Sequence, residues 1–358
     1  MRVAAPASFA DAVVTTGLDH APFADVPPEV LKPIFGRLPG LSRVEANRTV
    51  IAEVFGRLDA QAALPGLTEI MVNWRPDVVV REFCEFGSLV AAAKAGVPQV
   101  EVAIGLAATA AFAMQIVDSP LAELDAIAGL PEGTASRTLA SGPVLSCIPA
   151  EVDGEPERGG FRVRRFRDAS LTSGQGSPPP PWGDQDHPLV YVTFGSVAAG
   201  LPSFAGMYRC VLEALAGEPL RILMTTGSAV EPGSLAPLPA NARVEQWWPQ
   251  AAVMPHTDVV VGHGGFGTTM TALAGGVPQL VIPLFAFDQF INADRVAAIG
   301  AGLCLEGGPD AASALVPALT EVLGDPAYKE KALGVAAAMA ELPDLASSVS
   351  FLEQLGRR

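Results

Sequence analysis

Short apolar runs that read as strands alternate with segments carrying apolar side chains at helical spacing along almost the whole 358-residue chain. That alternation admits few folds. Parallel strands need a long crossover, usually a helix, so strand–helix–strand repetition builds a parallel sheet with helices on both faces. Strands are predicted at residues 2–5, 77–80, 99–103, 189–194, 221–225, 259–261, 279–282 and 303–305. Helices are predicted at 7–16, across 41–64 where Val50, Val54 and Leu58 recur, at 87–95 before Gly96, at 203–215, and after Pro309.

The rhythm breaks once. Residues 167–188 hold Ser-Pro-Pro-Pro-Pro at 177–181 together with Gly174, Gly176 and Gly183. Prolines in series cannot enter a helix or an inner strand, so this reads as a semi-rigid linker. The expected organisation is an N-terminal domain over 1–166, the linker over 167–188 and a C-terminal domain over 189–358, with the last helix packing back on the N-terminal domain. The length fits two domains of about 150 residues each.

With 49% hydrophobic and 17% charged residues there is material for large cores, which excludes a disordered chain. Acids outnumber bases 38 to 23, a net charge of -15, which excludes nonspecific nucleic-acid binding. No apolar run approaches the roughly 20 residues that span a bilayer, and the start lacks a basic head before an apolar block. Cys84, Cys147, Cys210 and Cys304 lie far apart with no CxxC pair and read as reduced, cytoplasmic thiols.

Chemistry concentrates in Val259-Val-Val-Gly-His-Gly-Gly-Phe-Gly-Thr-Thr269. A buried strand ends at Gly262, a glycine-rich turn follows, and an Ala-rich helix begins. Helix starts carry unpaired N–H groups and a positive dipole end, so they attract anions. Gly264, Gly265 and Gly267 let the backbone approach a phosphate closely. His263 falls at the carboxyl end of the strand, where open α/β sheets bind ligands. Taken alone, the segment is equally a tight turn with an incidental histidine.

Its neighbours extend the pattern. Val244-Glu-Gln-Trp-Trp-Pro-Gln250 lies upstream; Gly276-Val-Pro278, Ile282-Pro283 and Phe287-Asp-Gln-Phe-Ile-Asn292 lie downstream. This array resembles the donor-binding signature of family 1, GT-B nucleotide-sugar-dependent glycosyltransferases, in particular the actinobacterial enzymes that decorate antibiotics. Val190-Tyr-Val-Thr-Phe-Gly-Ser196 is similar to the first strand and loop of their C-terminal domain. The resemblance implies an α/β, GT-B fold of two Rossmann-like domains facing a cleft. The C-terminal domain would bind a nucleotide sugar and the N-terminal domain a small apolar acceptor. It also implies inverting transfer without a metal or other cofactor.

Carried over residue by residue, the resemblance assigns Trp247 to stacking on the nucleobase and Gln250 to the ribose. His263, Gly264, Gly265, Gly267 and Thr268 fall to the diphosphate, with Ser196 beside them; Asp288 and Gln289 fall to the sugar hydroxyls. Each also has a plainer reading: a core tryptophan, a turn, a helix N-cap at Asp288. Many relatives carry a glutamate for the ribose hydroxyls eight residues after the histidine, where this chain has Thr271. A site without that carboxylate suits a dTDP-activated deoxysugar better than a UDP-sugar.

The front of the chain departs from the family pattern. Residues 1–11 resemble the family's second strand and following helix, so the strand, loop and helix that carry the usual histidine base are expected upstream, with Met1 an internal start. Unpaired strand edges and exposed apolar surface are the expected consequence, with poor stability or stickiness. His20 reads as a surface loop residue before Pro22. Glu82, at the end of a predicted strand, is the candidate partner of the absent base; a solvated loop acid is its plainer reading. Phe83, Phe86, Phe112 and Met114 are candidate acceptor contacts, equally explicable as core. Asp184-Gln-Asp186 resembles a metal-binding DxD but lies in the linker without a strand before it. Arg158, Arg162, Arg164, Arg165 and Arg167 read as a solvated strand. A non-catalytic nucleotide-sugar binder and an epimerase of the same fold stay open as alternatives, and a homodimer is compatible with the sequence.

Overall fold

The computed structural model describes residues 1–154, 163–173, 176–177, 179–195, 204 and 206–357. The chain divides into two compact units. Unit 1 comprises residues 1–147, 154–166 and 343–358; unit 2 comprises 148–153 and 167–342.

The chain begins with β1 (Arg2–Pro6), α1 (Ala10–Thr15) and β2 (Asp19–Phe23). Then come α2 (Pro28–Arg37), α3 (Arg43–Arg48), a π-helical stretch over Thr49–Asp59 and α4 (Ala60–Trp74). The Ser42 hydroxyl accepts from the Glu45 N–H while the Glu45 carboxylate accepts from the Ser42 N–H, a reciprocal closure that starts α3 firmly. Next follow β3 (Val79–Glu82), α5 (Phe86–Ala95), β4 (Gln99–Val102), α6 (Ala107–Met114), α7 (Asp118–Ala128), α8 (Thr134–Ser141) and β5 (Val144–Ser146). After α9 (Ala150–Asp153), which belongs to unit 2, β6 (Val163–Arg165) completes the strands of unit 1.

Two separate parallel sheets result: β1-β2, and β3-β4-β5-β6. β1 pairs only with β2 and β3 only with β4 among the described residues, so each sheet ends on an unpaired strand edge. Val80 of β3 is 47% exposed, and Val14 of α1 and Val72 and Trp74 of α4 are exposed as well. The core of the unit sits instead among α4, α5, α7 and α8, where Phe86, Leu89, Leu121 and Leu124 are enclosed.

Unit 2 contains β7 (Leu189–Thr193), α10 (Met207–Ala214), β8 (Arg221–Thr225), β9 (Ala242–Glu245), α11 (Gln250–Val253), β10 (Val259–Gly262), α12 (Phe266–Ala274), β11 (Gln279–Val281), α13 (Phe287–Ala298) and β12 (Gly302–Cys304). α14 (Leu315–Gly324) and α15 (Pro326–Glu341) close it; α16 (Leu345–Gly356) returns to unit 1. The six strands form one parallel sheet in the order β12-β11-β10-β7-β8-β9. Alternate residues bury on opposite faces: Val190, Val192, Ile222, Met224, Val259 and Val261 on one, Leu189, Tyr191, Leu223 and Val260 on the other.

Four details correct the sequence reading. His20 is not in a loop: it is half-buried in β2, where its Nε2 donates to the Ala5 carbonyl at 3.1 Å. Its flanking Pro22 disguised the strand, yet a proline is tolerated in a two-stranded sheet that has only edges. The predicted helix 7–16 begins with a 3₁₀ turn at Ala7–Phe9. The strand predicted at 77–80 runs two residues later, and β5 and β9 are absent from the predicted strands. Residues 203 and 205 of the helix predicted at 203–215 lie outside the described residues, as do Arg158 and Arg162 of the basic run. The described part of the 167–188 segment packs on unit 2: Trp182 lies among the Arg221 and Arg243 guanidiniums, and Trp248 Nε1 donates to the Ser177 carbonyl. No single described helix is long and apolar enough to cross a membrane.

Candidate donor-binding site

The strand order of unit 2 places the site. β7, β8 and β9 run out in one direction from the sheet centre; the chain then returns and lays β10, β11 and β12 in the other. The loops leaving adjacent β7 and β10 therefore diverge, and the gap between them is where ligands bind in such sheets. β10 delivers His263 to that gap. Its ring packs against the backbone at Gly195, just after β7: a Cβ on Gly195 would lie 2.7 Å from His263 Cε1. A Cβ on Gly265 would lie 2.5 Å from His263 Nε2. Both positions thus need glycine, and the imidazole is boxed between them.

Burial pulls the His263 pKa down to about 4, so the ring is neutral at ordinary pH. Its Nδ1 is buried with no hydrogen-bond partner among the described residues. A neutral imidazole whose Nε2 edge lies against an uncapped helix start suits an incoming anion. α12 starts at Gly265 with no side-chain cap, and helix geometry leaves the N–H groups of Phe266, Gly267 and Thr268 without intrahelical partners. A Cβ at Gly267 would meet nothing within 4 Å, so the space there is open.

Gly264 adopts φ +82°, and a Cβ there would sit 2.7 Å from the Gln289 carbonyl. Its own carbonyl accepts from Asn292 Nδ2 at 2.7 Å, so α13 holds the glycine turn in place. Asn292 is 1% exposed. It was quoted in the sequence pattern without a role; its spacing from Gln289 puts both on one helix face and was the available signal.

The other candidates distribute as follows. Trp247 is 72% exposed, whereas Trp248 packs against the core, under the Arg243 guanidinium. Gln250 does not stand free for a ribose: its Nε2 donates to Thr268 Oγ1 at 3.0 Å. Gln289 turns inward, its Oε1 accepting from the Leu284 and Phe285 N–H groups at 2.9 and 3.1 Å. Asp288 lies in the first turn of α13; burial raises its pKa against the lowering effect of the nearby N–H groups. Thr271 is buried and spends its hydroxyl on the Gly267 carbonyl at 2.8 Å. Ser196 lies outside the described residues.

In unit 1, Glu82 ends β3 and accepts from the Cys84 N–H at 2.7 Å; burial raises its pKa to about 7. It is no solvated loop acid. The adjacent Arg81 is buried and faces Glu101 at 3.7 Å. Phe86 is fully enclosed and Phe83 is 5% exposed, their rings edge to face at 6.2 Å. As core residues, these two offer no surface to an acceptor, because the apolar helices α4 and α5 close over them. Phe112 and Met114 are half-buried at the core margin. Met114 opens onto a hollow of about 310 Å³ shared with Val117, Leu121, Arg137 and Leu139. Among the described residues no His/Cys/Asp/Glu group could hold a metal ion; Asp184 instead accepts from the Asp186 N–H within its own turn.

A split parallel sheet and a continuous one with the 3-2-1-4-5-6 arrangement and a glycine-boxed histidine at its switch point give the GT-B fold. The chain belongs to the family described as erythromycin biosynthesis protein CIII-like: the C-terminal domain pattern matches residues 210–355 and the N-terminal domain pattern residues 37–157. Elloramycin glycosyltransferase ElmGT of Streptomyces olivaceus is 35% identical over 297 residues, which cover 82% of this chain and 71% of the relative. L-demethylnoviosyl transferase of Streptomyces niveus is 30% identical, covering 90% of this chain and 82% of the relative. Among solved structures, the calicheamicin glycosyltransferase CalG4 superposes with a TM-score of 0.79 at 23% identity, covering 100% of this chain and 91% of that one. The spinosyn rhamnosyltransferase SpnG complexed with thymidine diphosphate gives 0.75 at 24% identity, covering 98% and 91%.

Proposed function

We propose that the chain moves a deoxysugar from a nucleoside diphosphate, dTDP in preference to UDP, onto a hydroxyl of a small apolar acceptor, with inversion and without a resident cofactor. The observation that carries this reading is the neutral His263 ring, boxed by Gly195 and Gly265, with its Nε2 edge against the uncapped start of α12. The acceptor oxygen attacks the anomeric carbon as the bond from that carbon to the diphosphate oxygen breaks. Negative charge grows on the departing diphosphate. Donors already aimed there stabilise that charge without reorganising. His263, the Thr268 hydroxyl and the first N–H groups of α12 are those donors. The hydroxyl proton passes to a general base, and Glu82, with a pKa of about 7, is the candidate partner of that base and not the base itself.

The preference for dTDP rests on Thr271. The position is buried and its hydroxyl is committed to Gly267, so nothing acidic is available there to bind a ribose 2′-hydroxyl. The names of relatives agree: one is a TDP-daunosamine transferase from Streptomyces peucetius, and the SpnG structure holds thymidine diphosphate. Trp247 stacks on the base, which explains an indole left 72% exposed.

Titrating dTDP and UDP into the chain tests this. dTDP is expected to bind more tightly, and Trp247→Ala is expected to weaken it by about 1–3 kcal/mol, roughly 5- to 150-fold. Tighter binding of UDP reverses the nucleotide assignment. Absence of binding by either removes the site.

A further inference from the structure

Trp247 is 72% exposed, so the orientation of its indole has to come from the backbone that carries it. That backbone is braced by a segment remote in sequence. Residues 176, 177 and 179–182, ahead of β7, lie along the loop between β9 and α11. The Trp248 Nε1–H donates to the Ser177 carbonyl at 3.1 Å. A Cβ on Gly176 would lie 3.1 Å from Pro249 Cγ and 3.6 Å from Ala252 Cβ, so the segment runs close beside the start of α11.

Arg243, on β9, joins the pieces. Its Nε and Nη2 lie 2.8 and 2.7 Å from Glu245 Oε1, and its Nη1 reaches the Pro180 carbonyl at 3.4 Å. Its guanidinium carbon stands 5.5 Å from the centre of the Trp248 ring and 5.9 Å from that of the Trp182 ring. A planar guanidinium can face aromatic rings while its edge keeps its hydrogen bonds, which a lysine ammonium cannot do. Trp182 also meets the Arg221 guanidinium at 5.9 Å, and both Trp182 and Trp248 pack against the cluster of Leu189, Leu223 and Val253. The Trp182 Nε1 has no hydrogen-bond partner among the described residues, so cations and apolar packing hold this ring.

The neighbours of Trp247 are therefore anchored on both sides. Glu245 is tied to Arg243, the Gln246 carbonyl accepts from the Gly227 N–H at 2.8 Å, and Trp248 is tied to Ser177. A platform ordered before the ligand arrives loses little freedom on binding, and that saving appears as affinity.

We propose that Trp182 is a positioning residue of the donor site: from the segment ahead of β7 it holds Arg243 against Trp248 and so fixes the loop on which Trp247 meets the nucleobase. The inference rests on the donor-site reading above and adds to it a part of the chain that never touches the ligand. It makes the base end of the nucleotide, and not its diphosphate end, sensitive to that segment.

The test is a pair of double-mutant cycles, Trp182→Leu combined with Trp247→Ala and with Thr268→Val. The affinity measured is that for whichever of dTDP and UDP the parent chain binds more tightly. Trp182→Leu alone is expected to weaken binding about fivefold. Added to Trp247→Ala it is expected to change binding by less than about twofold, because the ring acts through that indole; added to Thr268→Val it is expected to keep its fivefold loss. A loss that persists without Trp247, a loss that vanishes without Thr268, or unchanged binding by Trp182→Leu would each overturn the inference while leaving the site intact. A parent that binds neither nucleotide, or a Trp247→Ala variant that binds as the parent does, would remove the stacking site and the inference with it. If Trp182→Leu does not fold, Trp248→Phe keeps a ring beside Arg243 and loses the N–H to Ser177. About a threefold loss that vanishes without Trp247 then supports the proposal, and unchanged binding or a loss that persists overturns it.

Discussion

The two units are built from the same strand–helix alphabet and differ in how their sheets close. In unit 2 six strands form one sheet, and consecutive residues of β7, β8 and β10 enter cores on opposite faces. In unit 1 the strands fall into a pair and a quartet, β3 leaves Val80 47% exposed, and the core is carried mainly by helices. Large apolar side chains follow the same division. Unit 1 exposes Met1, Phe9, Val14, Val72, Trp74 and Val80, among others; the described part of unit 2 exposes Leu238, Trp247 and Leu333. Parallel sheets occur with both faces covered. The sheet of unit 2 meets that condition at β7, β8 and β10, and it is unit 2 that carries the glycine-boxed His263.

Matched truncations give the largest contrast. Leu223→Ala in β8, at 0% exposure, is expected to cost about 2–5 kcal/mol through lost transfer energy and a cavity. Val80→Ala in β3 is expected to stay within about 0.5 kcal/mol. Denaturant unfolding of both variants reads the difference. A large cost at Val80 would mean that β3 is covered in solution, and the contrast between the sheets would disappear.

Acidification should separate the units further. His263 has a folded-state pKa of about 4 against 6.5 for the free side chain. The unfolded chain therefore binds the extra proton first, and unit 2 loses up to about 3 kcal/mol as pH falls from 6.5 to 4. Glu82 is the reverse: its folded-state pKa of about 7 lies above the usual 4.5, so protonation favours the folded form. Unit 1 accordingly gains up to about 3 kcal/mol as pH falls through the same range, from 7 to 4.5, and Asp59, pushed up to about 6 by burial, adds to the gain. Asp288 in unit 2 works against His263, so the His263 share is read by comparison with His263→Gln. Calorimetry between pH 7 and 5 is expected to show that this variant is less acid-sensitive than the parent and Glu82→Gln gains less from acid. Equal pH slopes for parent and variants would show that neither group is buried as described.

The smallest effect concerns helix starts. α3 is closed by Ser42 and Glu45, and Ser42→Ala is expected to cost about 1 kcal/mol whether or not nucleotide is present. α12 begins with no side-chain cap among the described residues, and in the proposed function an arriving diphosphate would occupy its open N–H groups. A melting midpoint that rises with dTDP equally in parent and Ser42→Ala would confirm that the two starts serve different ends. A nucleotide response that depends on Ser42 would contradict it.

Much of unit 2 was legible in the sequence because its signals are short and local. Apolar runs of three or four residues shortly before a glycine mark β7, β8 and β10, and the glycines at 264 and 265 announce a turn that no other residue fits. What was hidden depends on contacts between distant segments. Nothing near Tyr191 in the sequence reveals that its hydroxyl meets Thr225, and Phe86 looks the same in a pocket lining as in a core. In unit 1, His20 and Pro22 mask β2, which becomes visible only through its pairing with β1.

The inward turn of Gln289 fixes more than a loop. With Oε1 held by two backbone N–H groups, the amide cannot flip, and toward anything outside it is a one-way group that can give hydrogen bonds but not take them. A carbohydrate oxygen meeting it must therefore present lone pairs, which an ether or ring oxygen does as readily as an alcohol. Selection at this point would be by shape and electron-pair direction, leaving room for sugars of differing oxygenation.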